Sequence, residues 1–365
     1  NFLHEGYPKL KLKTKKPTYP VIKKNKLKKY SLINKIHKIL SSPNIVTKEF
    51  VANQYDHEVQ GSSIIKPLQG VGKVFGNTTA IKPLYDDNKT ISLSQSAFPQ
   101  YSETDPYKMA ACSINTAVKN LVVMGANFKK IAILDNFCWC SSDEEGRLYE
   151  LRKAAEACYD YAVHYNTPFI SGKDSMYNDF KGFNQKNNPI KISIPPTLLI
   201  SSIGIVDNIN HLTKITPEKN DIIYVLGETH NELDKSQYEN FFSVKKTNIP
   251  KVNATKSLDL YKRFEKANKK NLFTSALGVD LGGIGITLIK MSIGSNLGLN
   301  INIPKKNNLD INQFLFSESQ SRIVVSIKKN KENIFKKIFK NTSFTKIGTC
   351  VDKKKVVFNY SSKKY

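Results

Sequence analysis

The segment from residue 104 to 127, TDPYKMAACSINTAVKNLVVMGAN, constrains the fold more than any other part of this sequence. Its apolar residues occupy most faces of a helix, so this helix is expected to be buried. Asp105 suits the N-cap, Pro106 the first helical position and Gly125 the C-terminal end. The surrounding segments must therefore form the structure that buries it.

Short apolar segments on either side of this helix match β-strands in length and pattern. ISLSQSA alternates like a half-buried strand, whereas IAILD is continuously apolar and ends in an acid. The predicted strands are 91–97, 131–135, 168–171 and 195–206. Alternation of such strands with helices predicts the α/β (α+β) fold class.

A second long helix is predicted over residues 142–166, between two of these strands. Ser142 and Glu145 have the spacing of a capping box at its N-terminus. Asn166, followed by Thr167 and Pro168, marks its end. The two flanking strands, 131–135 and 168–171, can therefore finish at the same edge of one sheet.

Length and composition indicate two domains. A chain of 365 residues with 40% hydrophobic content is too long for one compact core. Residues 1–30 are basic and contain three prolines, which favours an extended linker. The polar segment TKITPEKND begins at residue 213, so the predicted domains are 31–212 and 213–365.

The formal net charge of +25 raises the question of nucleic-acid binding. The positive charge comes mainly from lysines spread along the chain, with crowding at both ends, and arginine is scarce. Arginine is the usual residue for bidentate contacts to phosphates and bases. We therefore expect no specific nucleic-acid partner.

The five cysteines form no recognisable zinc or disulfide pattern, which favours free thiols in a reducing cytoplasm. They are Cys112, Cys138, Cys140, Cys158 and Cys350. No run of about 18 apolar residues predicts a membrane span, and no leader resembles a signal peptide. A cytoplasmic protein is therefore expected.

The segment GKDS comes directly after the predicted strand 168–171 and carries groups suited to phosphate chemistry. Gly172 would let the backbone approach a phosphate, and Lys173 offers a point charge. Asp174 could hold Mg²⁺, and Ser175 could donate a hydrogen bond to a substrate phosphate. Asp135 ends the neighbouring strand, and α/β proteins commonly bind ligands past strand ends.

GKDS is not a P-loop, because the position five before Gly172 is Thr167 and an aspartate follows the lysine. The other interpretation of these four residues is a polar turn, with glycine at a positive φ angle and Asp or Ser capping the next element of the chain. The four residues alone leave both interpretations open.

Several segments, in their order along the chain, resemble phosphoribosylformylglycinamidine synthase, the PurL synthetase subunit of purine biosynthesis. They are QYDHEVQG, TDPYKMA, AVKNLVVMGAN, IAILDNFCW, TPFISGKDSMYND, IPPTLLISSIGIV, GETHNELDKSQY and LFSESQSR. The resemblance covers nearly all of the chain, but it is to the second half of that subunit only. It implies an aminoimidazole ribonucleotide synthetase-like N-terminal, ATP-binding domain at 31–212 and a C-terminal domain of the same type at 213–365.

The resemblance also implies roles for individual residues. Asp135 and Gly172 match ATP-contacting positions, and Ser175 matches a substrate-contacting serine. Lys173 stands where many members have a magnesium-binding asparagine. A charged lysine cannot ligate Mg²⁺, so Lys173 is expected to neutralise phosphate directly, or to leave the metal to Asp174.

A further match is the ESQ segment at Glu318, Ser319 and Gln320, which echoes a substrate-binding ESQ in the first half of the family's subunit. The family's catalytic histidine lies in that first half, as do most of its metal-binding carboxylates. No catalytic residue is therefore expected on this chain, and the chain alone is expected to be inactive.

The implied reaction activates the formyl amide oxygen of formylglycinamide ribonucleotide with ATP and Mg²⁺, after which ammonia displaces the phosphorylated oxygen. It implies three partners: the N-terminal half of the synthetase, a glutaminase subunit and a small PurS-type subunit. The alternative is a non-catalytic nucleotide-binding scaffold half of the same complex.

Overall fold

A computed structural model describes residue 6 and residues 11–19, 30–54, 58–244, 247–305 and 308–365. Most of the predicted basic linker lies outside these residues, and so do Tyr55–His57 of the QYDHEVQG segment. We call the elements before residue 213 the first part of the molecule and the later ones the second part. The helices of the first part are α1 Leu32–Leu40, α2 Glu49–Ala52, α3 Pro106–Met124 and α4 Glu145–Tyr165. Its strands are β1 Ser63–Ile65, β2 Leu68–Gln69, β3 Val74–Phe75, β4 Thr78–Ile81, β5 Thr90–Ala97, β6 Ile131–Cys138, β7 Phe169–Ser175, β8 Asp179–Phe183, β9 Pro189–Ser193 and β10 Thr197–Val206.

The second part has its own helices and strands. The helices are α5 Ala254–Asn268, α6 Gly283–Ser295, α7 Ile311–Phe316 and α8 Glu332–Phe339. The strands are β11 Ile222–Leu226, β12 Phe273–Gly278, β13 Gly298–Asn302, β14 Ile323–Ile327, β15 Phe344–Val351, β16 Val356–Tyr360 and β17 Lys363–Lys364. Helices and strands mix throughout, which confirms the predicted fold class.

Two sheets organise the described residues. The first has the order β1-β4-β5-β10-β6-β7, and all its neighbours are antiparallel except the parallel pair β6 and β7. The second has the order β12-β14-β11-β15-β13-β16-β17. Two short hairpins, β2–β3 and β8–β9, stand outside both sheets. The parallel pair carries Asp135 and GKDS, the residues that the sequence predicts to form a site.

Helix α3 is the buried helix that the sequence predicts. Of its 19 residues, 17 are buried, and it packs on β5 and β10 on one side and on β12 and α5 on the other. The Asp105 side chain accepts a hydrogen bond from the Lys108 amide (3.0 Å), and Gly125 ends the helix in the left-handed conformation. Because α3 touches both sheets, it couples the two parts of the molecule.

The predicted capping box of α4 is wrong, although its predicted end at Asn166 is confirmed. The helix begins at Glu145 with Glu144 as N-cap, and no side chain caps it. The preceding residues hold the β8–β9 hairpin instead: the Ser141 amide donates to Asp179 (2.8 Å), and Lys191 pairs with Glu144. Contacts with residues distant in sequence therefore hold the segment that the local pattern predicted to cap α4.

The two clusters of buried apolar residues do not coincide with the two predicted domains. Leu32 and Ile39 of α1 join the same apolar cluster as Ile223 and Val225 of β11. The first sheet ends with β10 and the second begins with β11, on either side of the segment 213–221. The boundary there stays a prediction. Within the described residues, no helix is long and apolar enough to cross a bilayer.

Candidate functional site at the β6–β7 edge

The strands β6 and β7 run further than predicted, so Asp135 is not the last residue of its strand, and GKDS lies within a strand and not beyond its end. Strand β6 continues to Cys138 because Phe137 and Cys138 still pair with β10. Strand β7 includes all of GKDS, with Gly172 opposite Asp135 and Ser175 opposite Cys138. The turn interpretation of GKDS is therefore wrong, and the expected closeness of the two segments is confirmed.

Gly172 leaves the space that the Asp135 carboxylate occupies. A Cβ atom at position 172 would lie 2.6 Å from Oδ1 of Asp135, closer than real Cβ contacts. Burial raises the pKa of Asp135, and the nearby Asp174 carboxylate raises it further. The site therefore has two features. Strand β7 carries no side chain at Gly172, and the carboxylates of Asp135 and Asp174 interact.

Strand alternation divides the predicted site residues between the two faces of the sheet. Asp135 follows Ile131 and Ile133 and precedes Phe137 on the face that packs on the helices. Register places Gly172 and Asp174 on that same face. Lys173 and Ser175 lie on the other face, and the Lys173 ammonium donates a hydrogen bond to Ser175 Oγ.

Among the described residues, strand β7 is the last strand of its sheet and pairs only with β6. Gly172, Lys173 and Asp174 are all exposed, and the open face of the sheet presents apolar side chains such as Leu93, which is 44% exposed. The edge thus offers cation, carboxylate and hydroxyl groups on a surface that nothing in the described residues closes over.

The structure does not bring Glu318, Ser319 and Gln320 to this edge. Glu318 is 3% exposed, and its carboxylate accepts hydrogen bonds from Gly282 N, Gln237 N and Tyr101 Oη at 2.8, 2.8 and 3.1 Å. Gln320 Oε1 accepts from Asn115 and Thr116 of α3. The hydrogen bonds described for these three side chains are to residues around their own loop, and none is to a residue of the β6–β7 edge.

The described residues contain no group of three His, Cys, Asp or Glu side chains that could hold a metal by themselves. Mg²⁺ commonly uses one or two carboxylates and completes its shell with water and substrate phosphates. Asp135 and Asp174 offer two carboxylates on one face, so they fit such a shared site. Lys173 lies on the opposite face, away from this pair.

A cleft between the two parts of the molecule was not found from the sequence. Its volume is about 400 Å³, and its lining includes Asn77, Asp280 and Lys290. Asn120 of α3 also lines it, is 2% exposed, and has no described partner for either side-chain amide atom. The only signal in the sequence was the polar pair Lys119–Asn120 inside an otherwise apolar helix.

Comparison with known proteins agrees with this architecture. Residues 76–195 match the AIR synthase related protein N-terminal domain, and residues 256–361 match the corresponding C-terminal domain. These two matches together cover more than half of the chain, which therefore belongs to the AIR synthase related family.

Within that family, the chain is similar to phosphoribosylformylglycinamidine synthase subunit PurL. It is 29% identical to the Methanocaldococcus jannaschii subunit over 85% of this chain and 42% of the relative. It is also 29% identical to the Thermococcus sibiricus subunit over 95% of this chain and 46% of the relative. The chain thus spans less than half the length of these relatives, and the resemblance read from the motifs is confirmed.

Solved structures show the same fold. Thermotoga maritima PurL complexed with FGAR superposes with a TM-score of 0.68 at 16% identity, over 92% of this chain and 52% of that one. A chain of a HypE–HypF complex superposes with a TM-score of 0.58 at 16% identity, over 78% of this chain and 91% of that one. One unit of this fold therefore accounts for nearly the whole described chain.

Proposed function

We propose that the chain forms the second half of an ATP-dependent synthetase that converts formylglycinamide ribonucleotide and ammonia to formylglycinamidine ribonucleotide. The observation that carries this proposal is the pairing of Asp135 with Gly172 at an exposed sheet edge. The PurL relatives and the Thermotoga maritima complexes with FGAR and with ATP support it. The chain would supply one wall of a site that a second half completes.

The residues of this edge have separable tasks in the proposed reaction. Asp135 and Asp174 would hold the Mg²⁺ of Mg-ATP, which neutralises developing charge during phosphoryl transfer. Gly172 would let the nucleotide approach the β7 backbone. Lys173 and Ser175, on the other face, would contact the anionic ribonucleotide substrate. The acid–base group would come from the other half.

The proposed partners are inferred from the open surface and the relatives. The exposed apolar side chains of the open sheet face, such as Leu93 and Ile205, suit a permanent contact with the N-terminal half of the synthetase. A structure of PurLQS from Thermotoga maritima supports a glutaminase subunit and a small PurS-type subunit as further partners. We propose a cytoplasmic complex without a specific nucleic-acid partner.

Reconstitution tests this function. The chain is mixed with a separately produced upstream half of a related PurL, and product is measured with ammonia, Mg-ATP and formylglycinamide ribonucleotide. We expect turnover only from the mixture. Gly172→Ala should lower it roughly tenfold to 100-fold, because the new Cβ displaces the Asp135 carboxylate.

The matched control is Gly182→Ala in the β8–β9 hairpin, where the three atoms nearest to the new Cβ all belong to the exposed Phe180 ring. This control should retain full turnover. Turnover by the chain alone would contradict the half-site proposal, and equal loss in both glycine variants would remove the role of Gly172.

The second candidate function is a non-catalytic nucleotide-binding scaffold, and the cleft between the two parts favours it. A buried amide without a partner, as at Asn120, is costly unless a ligand or water satisfies it. ADP binding measured by calorimetry separates the candidates. Asn120→Ala should abolish binding and Asp135→Asn should leave it intact if the cleft is the site, whereas the reverse supports the β6–β7 edge.

Turnover of the reconstituted complex provides an independent check on the same choice. If Lys173→Ala and Ser175→Ala both leave turnover unchanged, the scaffold function is favoured. If both lower it while the complex still assembles, the edge is part of the synthetase site.

A further inference from the structure

The open face of the first sheet is largely apolar, but one corner of it is polar. Strand alternation places side chains such as Leu93, Leu134 and Ile203 on this face. Towards the carboxyl-terminal ends of the parallel strands β6 and β7, the same face carries polar side chains instead. We call these residues the polar corner: Asn136, Cys138, Lys173 and Ser175. Two of them, Asn136 and Cys138, were not predicted from the sequence as site residues.

The strand register arranges the polar corner in two rows. Asn136 pairs with Lys173, and Cys138 pairs with Ser175, across β6 and β7. Neighbouring strands lie about 4.8 Å apart, so the four side chains form one compact surface. A group of the size of a phosphate can therefore contact several of them at once.

The hydrogen bonds within the polar corner use acceptor atoms and leave donor groups available. Cys138 Sγ donates to Asn136 Oδ1 (3.5 Å), and no described residue pairs with the amide nitrogen of Asn136. The Lys173 ammonium donates to Ser175 Oγ, so the proton of the Ser175 hydroxyl stays free to be donated. An ammonium group carries three donors and no acceptor. The corner thus presents N–H and O–H groups to a ligand.

No carboxylate competes for these donors on the open face of the described strands β5, β6, β7 and β10. These strands contain two acids, Asp135 and Asp174, and both lie on the opposite face. The charged side chain that the four strands place on the open face is Lys173. One cation beside amide and hydroxyl donors suits a small oxyanion such as a phosphate group.

We propose that the polar corner is a subsite for a phosphate group, and that Asn136 contacts this phosphate beside Lys173 and Ser175. The inference rests on the proposed function, in which the phosphate belongs either to the ribonucleotide substrate or to ATP. Lys173 Nζ, Ser175 Oγ and Asn136 Nδ2 each donate to a phosphate oxygen. Cys138 positions the Asn136 amide, because its thiol donates to the amide oxygen and turns the nitrogen towards the ligand.

Steady-state kinetics of the reconstituted complex tests the role of Asn136. Asn136→Ala should raise KM for the substrate whose phosphate binds there about tenfold, because one donor to a charged group is lost. The other substrate should keep its KM, so the two KM values show whether the phosphate comes from the ribonucleotide or from ATP.

Asn136→Asp separates donation to an anion from simple packing. Aspartate keeps the shape of asparagine and the oxygen that accepts from Cys138, but it replaces the N–H donors with a negative charge. We expect KM for the same substrate to rise about 100-fold, since like charges then face each other. A structural role predicts the reverse order, with alanine more harmful than aspartate. Ser201→Ala, on the same face in β10, is the control and should keep both native KM values.

Alkylation of Cys138 measures phosphate binding without turnover. Cys138 is half-buried, whereas the other four cysteines are buried, so iodoacetamide should label Cys138 first. Cys138→Ser should remove this labelling. Ribose 5-phosphate or ATP should slow the labelling of the native protein severalfold, and ribose should not. In Asn136→Asp, neither phosphate compound should protect the thiol.

These results separate the subsite from the proposed function. If the complex turns over but both Asn136 variants keep the native KM values, the subsite is overturned and the proposed function stands. If no mixture turns over, the proposed function fails, and labelling of the chain alone decides the subsite. Protection by a phosphate compound but not by ribose then supports the subsite, whereas no protection overturns it. The native labelling also decides if Asn136→Asp does not fold.

Discussion

The segments GKDS at 172–175 and ESQ at 318–320 were both predicted from the sequence to bind ligands, yet they lie in opposite environments. At the β6–β7 edge, Gly172, Lys173 and Asp174 are exposed. In the loop Ser317–Arg322, Glu318 is buried and its carboxylate holds three donors from three segments. A polar group with free hydrogen-bonding capacity at an open edge can bind a ligand, whereas one that is already saturated holds the protein together.

This difference predicts that mutations near the loop act on stability, and the largest effect is expected at Arg322. Its guanidinium is fully buried and donates to Ser319 O (2.9 Å) and Thr229 Oγ1 (3.1 Å). Arg322→Met should lower the free energy of unfolding by about 3–5 kcal/mol, because it leaves buried acids uncompensated. Urea denaturation measures this.

The control for that variant is Arg152→Met on α4, whose side chain is 63% exposed. It should change the unfolding free energy by less than about 0.5 kcal/mol. Equal losses of unfolding free energy in the two arginine variants would contradict the expected difference between the buried loop and the exposed surface.

A smaller loss of stability is expected at Asn115, which links α3 to both long helices beside it. Asn115 Oδ1 accepts from Tyr165 Oη (2.8 Å) and Tyr261 Oη (2.7 Å), and all three residues are buried. Asn115→Ala should cost about 2–3 kcal/mol, because both hydroxyls lose their short hydrogen bond to Asn115 Oδ1 and the Tyr261 hydroxyl keeps a longer one to Ser321 Oγ (3.3 Å). Thermal and urea unfolding test it against Asn53→Ala, an exposed position that should be neutral.

At the β6–β7 edge, the comparison predicts loss of binding without loss of stability. Lys173→Ala and Asp174→Ala should each change the unfolding free energy by less than about 0.5 kcal/mol, because both side chains are exposed. Mg-nucleotide affinity should fall roughly tenfold in Asp174→Ala, and affinity for the ribonucleotide substrate should fall by a similar factor in Lys173→Ala; a tenfold loss corresponds to one lost charge contact of about 1.4 kcal/mol. Calorimetry with Lys181→Ala as control checks this, and a large stability loss at 173 or 174 would contradict it.

The smallest effect is a shift in pH dependence at Asp135. Burial and Asp174 raise the pKa of this carboxyl group, so it takes up a proton at a higher pH than an unperturbed aspartate. Mg-nucleotide binding should therefore weaken on acidification from neutral pH, earlier than for an unperturbed aspartate. Asp174→Asn removes the like charge and should move the onset to lower pH. An unchanged onset would show that burial alone sets it.

A few residues show how much of the fold and of the candidate site could be predicted from the sequence. The apolar periodicity of α3 and its Asp105 and Gly125 ends predicted that helix correctly, since these signals are local. The capping box at Ser142 failed because Asp179 and Lys191, distant in sequence, hold the residues before α4. The closeness of Asp135 and Gly172 was expected, but the inclusion of GKDS in a paired strand was not.

The sequence by itself determined the fold class, the buried helix and the family, because strand and helix periodicity and the order of motifs are properties of the chain alone. Only the tertiary structure decided which motif remains free to bind. Glu318 and Tyr101 are 217 residues apart, and their hydrogen bond exists only because α3 packs between the two sheets. Local pattern selects residue types that can bind ligands, but burial and partners, which depend on the whole fold, decide which of them still can.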